Sequence, residues 1–257
     1  MSAPAATAPS TSALADGLAP IGLAEAVATA PLLERLDRKY VVPIDLLPPL
    51  AAALRSSHRA LVIDGRSAFA YRTRYFDTPE LASYRDHLQG RRRRFKCRVR
   101  HYVDAGDHWF EVKLRGSRGR TDKVRARCGP LGGGPLPGAQ LEVLRGALAR
   151  DGRPAPPLLR PSLAMEYRRT TLVAPALGER LTCDVGLRFE GGGRLREGLA
   201  IVESKSARGR GAADHALVAL GARPVASCSK YCLGIALAVA GVRDNPLRPV
   251  LRRYFES

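Results

Sequence analysis

The chain is poor in acidic residues, aromatics and paired cysteines, and each scarcity excludes something. Only 24 Asp and Glu stand against 42 Lys and Arg, a formal charge of +18. Such an excess points to an anionic partner: a phosphate compound, a nucleic acid or a membrane surface. Aromatics make up only 6% of the chain, which argues against stacking on single-stranded nucleic acid. No helix-turn-helix or zinc pattern appears either, so nucleic acid is not the expected partner. The five cysteines are odd in number and include no CxxC. A disulfide framework or zinc site is therefore not expected, and the thiols read as small buried apolar groups in a reducing compartment. No uninterrupted apolar run is long enough to span a bilayer. The start has no basic segment ahead of an apolar run, and the expected location is cytoplasmic.

What the chain does have is length and concentrated charge. Its 257 residues are 45% hydrophobic, enough for a substantial core. Residues 91–127 hold 14 Lys and Arg against 4 Asp and Glu, so +10 of the excess lies in one stretch. Residues 1–30, rich in Ala, Pro and Ser at the start, are expected to be a disordered tail. A short helix within "IGLAEAVATAPLLERL" would break at Pro31. The main domain is expected over 31–242, with a C-terminal tail over 243–257. Inside the domain, "PIDLLPPLAAALRSS" predicts a helix with Asp45 as a possible N-cap. "PELASYRDHLQG" predicts another, with Pro79 in its first turn and Gly90 at its stop. Seven or more strand-like segments dominate the rest, with helices between and after them, an α+β pattern built on an antiparallel sheet or barrel.

Residues two apart in a strand share a face. Arg94, Lys96, Arg98 and Arg100 share one, and Phe95, Cys97 and Val99 the other. Trp109, Glu111, Lys113 and Arg115 oppose Phe110, Val112 and Leu114. Lys123, Arg125 and Arg127 fall together. Arg180, Thr182 and Asp184 oppose Leu181, Cys183 and Val185, and Ile201, Glu203 and Lys205 share a face. In "FAYRTRYFDTP", Tyr71, Thr73 and Tyr75 take one side. A single strand of this kind reads as a solvated face over a core. Several in succession do not, because like charges directly opposite repel and need bulk water or a bound polyanion. Arg and Lys neutralise phosphate oxygens, and a carboxylate can share a hard divalent ion with phosphate. A plain salt-bridged surface is the competing reading of each Glu–Lys pair. His101 and His108, without partners at ligand spacing, read as rim or surface residues. "RGSRGRTDK" reads as a basic hairpin.

The ordered motifs "DRKYVVP", "YFDTPELASYRDHLQG", "KCRVRHY", "FEVKLRG", "DKVR", "EYRRT", "RLTCD", "VESK" and "SKY" resemble the VTC domain. That is the catalytic module of polyphosphate polymerases, in the triphosphate tunnel metalloenzyme (CYTH-like) superfamily. The resemblance implies a closed antiparallel β-barrel around a basic tunnel, with helices packed outside. It implies phosphate-binding or catalytic roles for Lys39, Arg98, Arg100, Lys113, Lys123, Arg169 and Arg180, with Lys205 and Lys230 completing the basic lining. Glu203 matches the metal-ligating glutamate, and Glu111 is a second acidic contact to the metal. Asp37 stands where related enzymes usually place Glu, and "VESKS" lacks the aromatic or aliphatic residue often found after its lysine.

The implied reaction is phosphoryl transfer from a nucleoside triphosphate to polyphosphate, with Mn²⁺ or Mg²⁺ held by Glu203. The same fold could instead hydrolyse tripolyphosphate or a nucleoside triphosphate, with Asp37, Glu111 or Asp184 orienting water. It could also bind polyphosphate without turning it over. Neither an SPX-like helical sensor nor a membrane span is read in the sequence, so coupling to translocation would need an unidentified membrane partner.

Overall fold

A computed structural model describes residues 11–29, 36–115, 121–130, 132–207 and 209–256. From Thr11 the chain forms a 3-10 turn (Thr11–Leu14), strand β1 (Pro20–Ile21), helix α1 (Leu23–Thr29), β2 (Leu36–Pro43), α2 (Leu47–Leu54) and β3 (Arg59–Leu61). Next come β4 (Ala68–Asp77), α3 (Ala82–Leu88), β5 (Arg94–Tyr102), β6 (Asp107–Arg115), β7 (Thr121–Cys128) and α4 (Gly138–Ala149). The chain ends with β8 (Arg160–Ala174), β9 (Glu179–Phe189), β10 (Arg194–Leu195), β11 (Leu199–Ser206), α5 (Ala212–Ala219), α6 (Lys230–Ala238), α7 (Arg248–Tyr254) and β12 (Phe255–Glu256). The fold is α+β on a large, mostly antiparallel sheet, as the sequence pattern predicts. Two compact units divide it. One holds the chain up to Phe69 with Arg168–Gly186 and Leu195–Ala226; the other holds Ala70–Tyr167, Leu187–Arg194 and the chain from Ser227.

In the first unit, β11 pairs antiparallel with β2 on one side and β9 on the other. The alternation sorts the strands into two faces. Tyr40, Val42, Leu181, Cys183, Ala200 and Val202 pack against Leu47, Leu50 and Leu54 of α2 and Ala213 and Leu217 of α5. Each fully buried leucine there contributes roughly 1.5–3 kcal/mol of transfer free energy. The opposite face carries Lys39, Glu203, Lys205, Arg180 and Thr182. In the second unit, β4, β5, β6 and β7 form an antiparallel ladder. Phe95, Cys97, Val99, Phe110, Val112 and Leu114 pack against Leu144, Ala147 and Leu148 of α4. Again the basic side is the one left over.

Several boundaries differ from expectation. The tail expected over 1–30 is ordered from Thr11: Leu14 is 0% exposed and sits in the core beneath α2, while Ile21 and Ala26 are buried with Leu61 and Val173. Low complexity hid one well-placed leucine. Residues 1–10 and the break at Pro31 lie outside the described residues. The segment expected as a tail after 243 holds α7 and β12, with Leu247, Val250 and Phe255 buried. Asp45 does not cap α2; it lies in a 3-10 turn, and α2 starts at Leu47 with prolines in its first positions. There they lose no helical hydrogen bond.

Helix α3 starts later than Pro79, after Leu81, which takes a left-handed conformation at φ 56°. Its first turn is held by Asp77 at the end of β4. That carboxylate accepts from the backbone N–H of Thr78, Ser83 and Tyr84 and from the Tyr231 hydroxyl at 2.5 Å. In the middle of α6, Gly234 is required by close approach, since a Cβ there would run into Leu163 and Phe189.

Candidate phosphate-binding site

The second unit concentrates cations around one buried carboxylate. Register places Tyr75, Arg98, Glu111 and Arg125 in one row across β4–β7, and Thr73, Arg100, Trp109 and Arg127 in the next. Arg98 donates from Nε to Glu111 Oε2 at 2.9 Å and from Nη1 to the Tyr75 hydroxyl at 2.7 Å. Lys123 Nζ reaches Glu111 Oε1 at 2.5 Å, and Arg100 Nη1 lies 3.8 Å from Oε2. Glu111 is 3% exposed and Arg100 6%. Burial alone would raise the Glu111 carboxyl; Arg100, Arg98 and Lys123 outweigh it and hold it well below the usual carboxylate range. Burial pushes Lys123 down to about 8, although Glu111 opposes the shift.

Tyrosines frame the arginines. Arg100 lies over Tyr71 and Arg98 over Tyr75, and Tyr71 stacks on Tyr167. Lys230, at the start of α6, sits over Tyr167 with its Nζ 5.6 Å from the ring centroid. These contacts hold the cations by their ring faces. The Tyr71/Thr73/Tyr75 alternation was legible in the sequence; its place opposite Arg98 and Arg100 needed the register.

A third row is formed by Lys96, Lys113 and Lys123, directly opposite one another on β5, β6 and β7. Lys113, on the middle strand of the row, is exposed. Lys96 donates to Ser229 Oγ at 2.9 Å and lies 3.5 Å from Cys232 Sγ. The sequence pattern places it on the basic strand face without marking it as a site residue. Burial lowers its ammonium to about 8. A lysine depressed in the folded state costs stability below that value and regains it as pH rises toward the unfolded pKa. Lys96→Met is therefore expected to raise the melting temperature at pH 7, with the gain shrinking between about pH 8 and pH 10.5. Thermal unfolding across that range checks it; a variant less stable than wild type at pH 7 would refute it.

In the first unit, Glu203 lies between two lysines, with Oε1 3.0 Å from Lys39 and Oε2 3.2 Å from Lys205. Beside it, Arg169 grips Asp184 with Nε and Nη2 at 2.6 and 2.7 Å. Arg180 donates to the Ala26 carbonyl. Lys39, Glu203 and Thr182 are directly opposite across β2, β11 and β9, as are Asp37, Lys205 and Arg180.

The residue types allow one divalent-ion position. Among the described residues no three His, Cys, Asp or Glu cluster as a metal cage. Glu203 fits a hard cation that keeps most of its other ligands as water and phosphate, the usual habit of Mg²⁺. Its neighbours are Lys39 and Lys205, which would have to yield its oxygens to the ion. Glu111, expected as a second metal contact, has both its oxygens held by cations in a buried position.

His101 and His108, expected as unpartnered rim residues, are partners of each other. They face one another across β5 and β6 and stack at 4.0 Å. Burial, His108 and Arg72 lower the His101 pKa. The pair lines a cavity of about 480 Å³ floored by Val99, Met165 and Phe189. The basic hairpin expected at 115–123 exists as the β6–β7 ladder; its loop, 116–120, lies outside the described residues.

Known proteins give a sequence match and looser structural ones. No curated protein matches the chain. A solved protein from Hippeastrum, described as an adenylyl cyclase candidate with dominant triphosphatase activity, is 16% identical with a TM-score of 0.47, covering 79% of this chain and 95% of its own. A protein from Pyrococcus horikoshii gives 11% and 0.44, covering 77% and 97%. An adenylate cyclase candidate from Vibrio parahaemolyticus gives 15% and 0.40, covering 73% and 86%. The family model for the VTC domain matches residues 34–131, which bears out the resemblance read from the motifs between Asp37 and Lys123.

Proposed function

We propose that the protein handles phosphoryl groups as a polyphosphate polymerase-like enzyme, transferring them from a nucleoside triphosphate to polyphosphate. The observation that carries this is the row of three directly opposed lysines, Lys96, Lys113 and Lys123, beside Arg98 and Arg100. Like charges so placed repel, and a polyanion lying across them removes the repulsion. In the second unit, Arg98, Arg100, Lys113, Lys123 and Lys230 bind phosphate oxygens. In the first, Lys39, Lys205, Arg169 and Arg180 do so, and Glu203 holds Mn²⁺ or Mg²⁺. The ion, when bound, neutralises charge on the transferring phosphoryl group. The attacking phosphate is already ionised, so the protein need supply no base.

Hydrolysis by the same residues is the second reading, and it requires a carboxylate free to orient water. Glu111 and Asp184 are each tied to arginine, which counts against both of them in that role. This favours transfer over hydrolysis. Among the described residues no helix is long and apolar enough to cross a membrane.

The test is incubation with ATP and Mn²⁺, and separately with tripolyphosphate and Mn²⁺, resolved by ³¹P NMR. Chain growth from ATP that disappears in Glu203→Ala is the expected result. Orthophosphate without chain growth would move the assignment to a hydrolase. Binding without turnover would leave a polyphosphate-binding subunit.

A further inference from the structure

Thr182 sits at the centre of the charged face of the first unit. It lies on β9 directly opposite Glu203, which lies directly opposite Lys39 on β2. Directly paired residues of antiparallel strands point to the same side of the sheet, so the three side chains share that face. Arg180 and Asp184 are Thr182's same-face neighbours along β9. Four charged side chains, Lys39, Glu203, Arg180 and Asp184, therefore surround one small hydroxyl.

That hydroxyl is anomalous. Thr182 is 3% exposed, and its Oγ1 has no hydrogen-bond partner. A buried hydroxyl without a partner is penalised, and native structures rarely keep one without a reason. Apolar residues of similar shape were available: Val185 and Val202 occupy neighbouring strand positions. Lys39 and Lys205 both fold onto Glu203, and both are long and flexible enough to turn toward an arriving anion.

We propose that Thr182 is a substrate-contacting residue, whose hydroxyl donates a hydrogen bond to a phosphate oxygen held by Lys39, Lys205 and Arg180. The inference rests on the phosphoryl-handling reading and adds a neutral donor to a site otherwise made of charges. A hydroxyl has directionality that a lysine lacks, so it fixes where one phosphate sits along the chain. Its cost falls on the ligand-free protein and is relieved on binding.

The experiment uses the full chain in EDTA, so that no divalent ion contributes, with tripolyphosphate as probe. Wild type, Thr182→Val and Thr182→Ser are compared by melting temperature without ligand and by tripolyphosphate affinity. Thr182→Val is expected to melt at or above the wild-type temperature while binding about tenfold more weakly, a factor worth 1.4 kcal/mol. Thr182→Ser is expected to recover the affinity. Stability and binding then move in opposite directions, which a packing role would not produce. Unchanged affinity in Thr182→Val would overturn the inference, as would a valine variant several degrees less stable than wild type. If the wild-type protein itself does not bind tripolyphosphate, the phosphoryl-handling reading fails first and takes this inference with it.

Discussion

Glu111→Gln is expected to destabilise the protein by about 3–5 kcal/mol, the usual cost of removing one partner from a buried ionic group. For a chain of this size that lowers the melting temperature by roughly 10 °C. The reason is the count of charges at one point. Arg98, Arg100 and Lys123 converge on the single Glu111 carboxylate. Glutamine keeps the shape and removes the charge. Lys123, already lowered to about 8 by burial, can shed its proton more readily once Glu111 is neutral. The two arginines cannot, so most of the penalty stays.

Polyphosphate should supply the missing charge. Tripolyphosphate is expected to raise the melting temperature of Glu111→Gln by more than it raises that of wild type, by ordinary ligand linkage. An equal rise in both proteins would mean that the anion does not reach this cluster. The pH dependence follows from the direction of the shift. Glu111 is held well below the ordinary carboxylate range, so its contribution is present in full above that range and is lost only as pH falls through the depressed value. Acid unfolding of wild type should therefore begin to report Glu111 only below the ordinary carboxylate range and report it in full only at the depressed value.

The faces of the sheet were legible because strand geometry has period two. Nothing beyond composition and alternation was needed to assign Phe95, Cys97 and Val99 to one side and Lys96, Arg98 and Arg100 to the other. The partner of each residue was not legible, because register depends on where the turns fall. Glu111 could be read as a metal contact or a surface salt bridge; only its place opposite Arg98, and diagonal to Lys123 two residues along the next strand, makes it a hub. The same applies to His101 and His108, which are seven residues apart in sequence and stacked in space. Asp77 read simply as the end of a strand, yet it caps the helix that follows and bonds Tyr231, 154 residues away. A long-range hydrogen bond leaves no periodic trace. Leu14 failed for the opposite reason. Its neighbours are Ala, Ser and Thr, and the surrounding composition outweighed the one side chain that is wholly buried.

Arg98→Ala is expected to lower turnover by about 10²–10³-fold, the loss typical when one preorganised donor to developing charge is removed. Arg98 is held by three constraints at once: a two-nitrogen contact to Glu111 Oε2, a hydrogen bond to the Tyr75 hydroxyl and the Tyr75 ring face. Its guanidinium is therefore already aimed before substrate arrives, and the remaining N–H groups can meet a phosphate oxygen without reorganisation. Arg98→Lys separates charge from aim. Lysine keeps the positive charge but offers one flexible point instead of a planar fork, so it should recover only part of the loss, leaving roughly a tenfold deficit. Arg125 is the control. It stands in the same row, on the far side of Glu111, but is exposed and lies over Trp109. Arg125→Ala should change turnover by less than about threefold, as expected for an exposed cation screened by water. Rates from ATP and Mn²⁺ by ³¹P NMR decide the matter. If Arg98→Lys matched wild type, charge alone would suffice and the framing by Tyr75 and Glu111 would have no part in positioning. If Arg125→Ala lost as much as Arg98→Ala, the working surface would be the exposed row and not the buried cluster around Glu111.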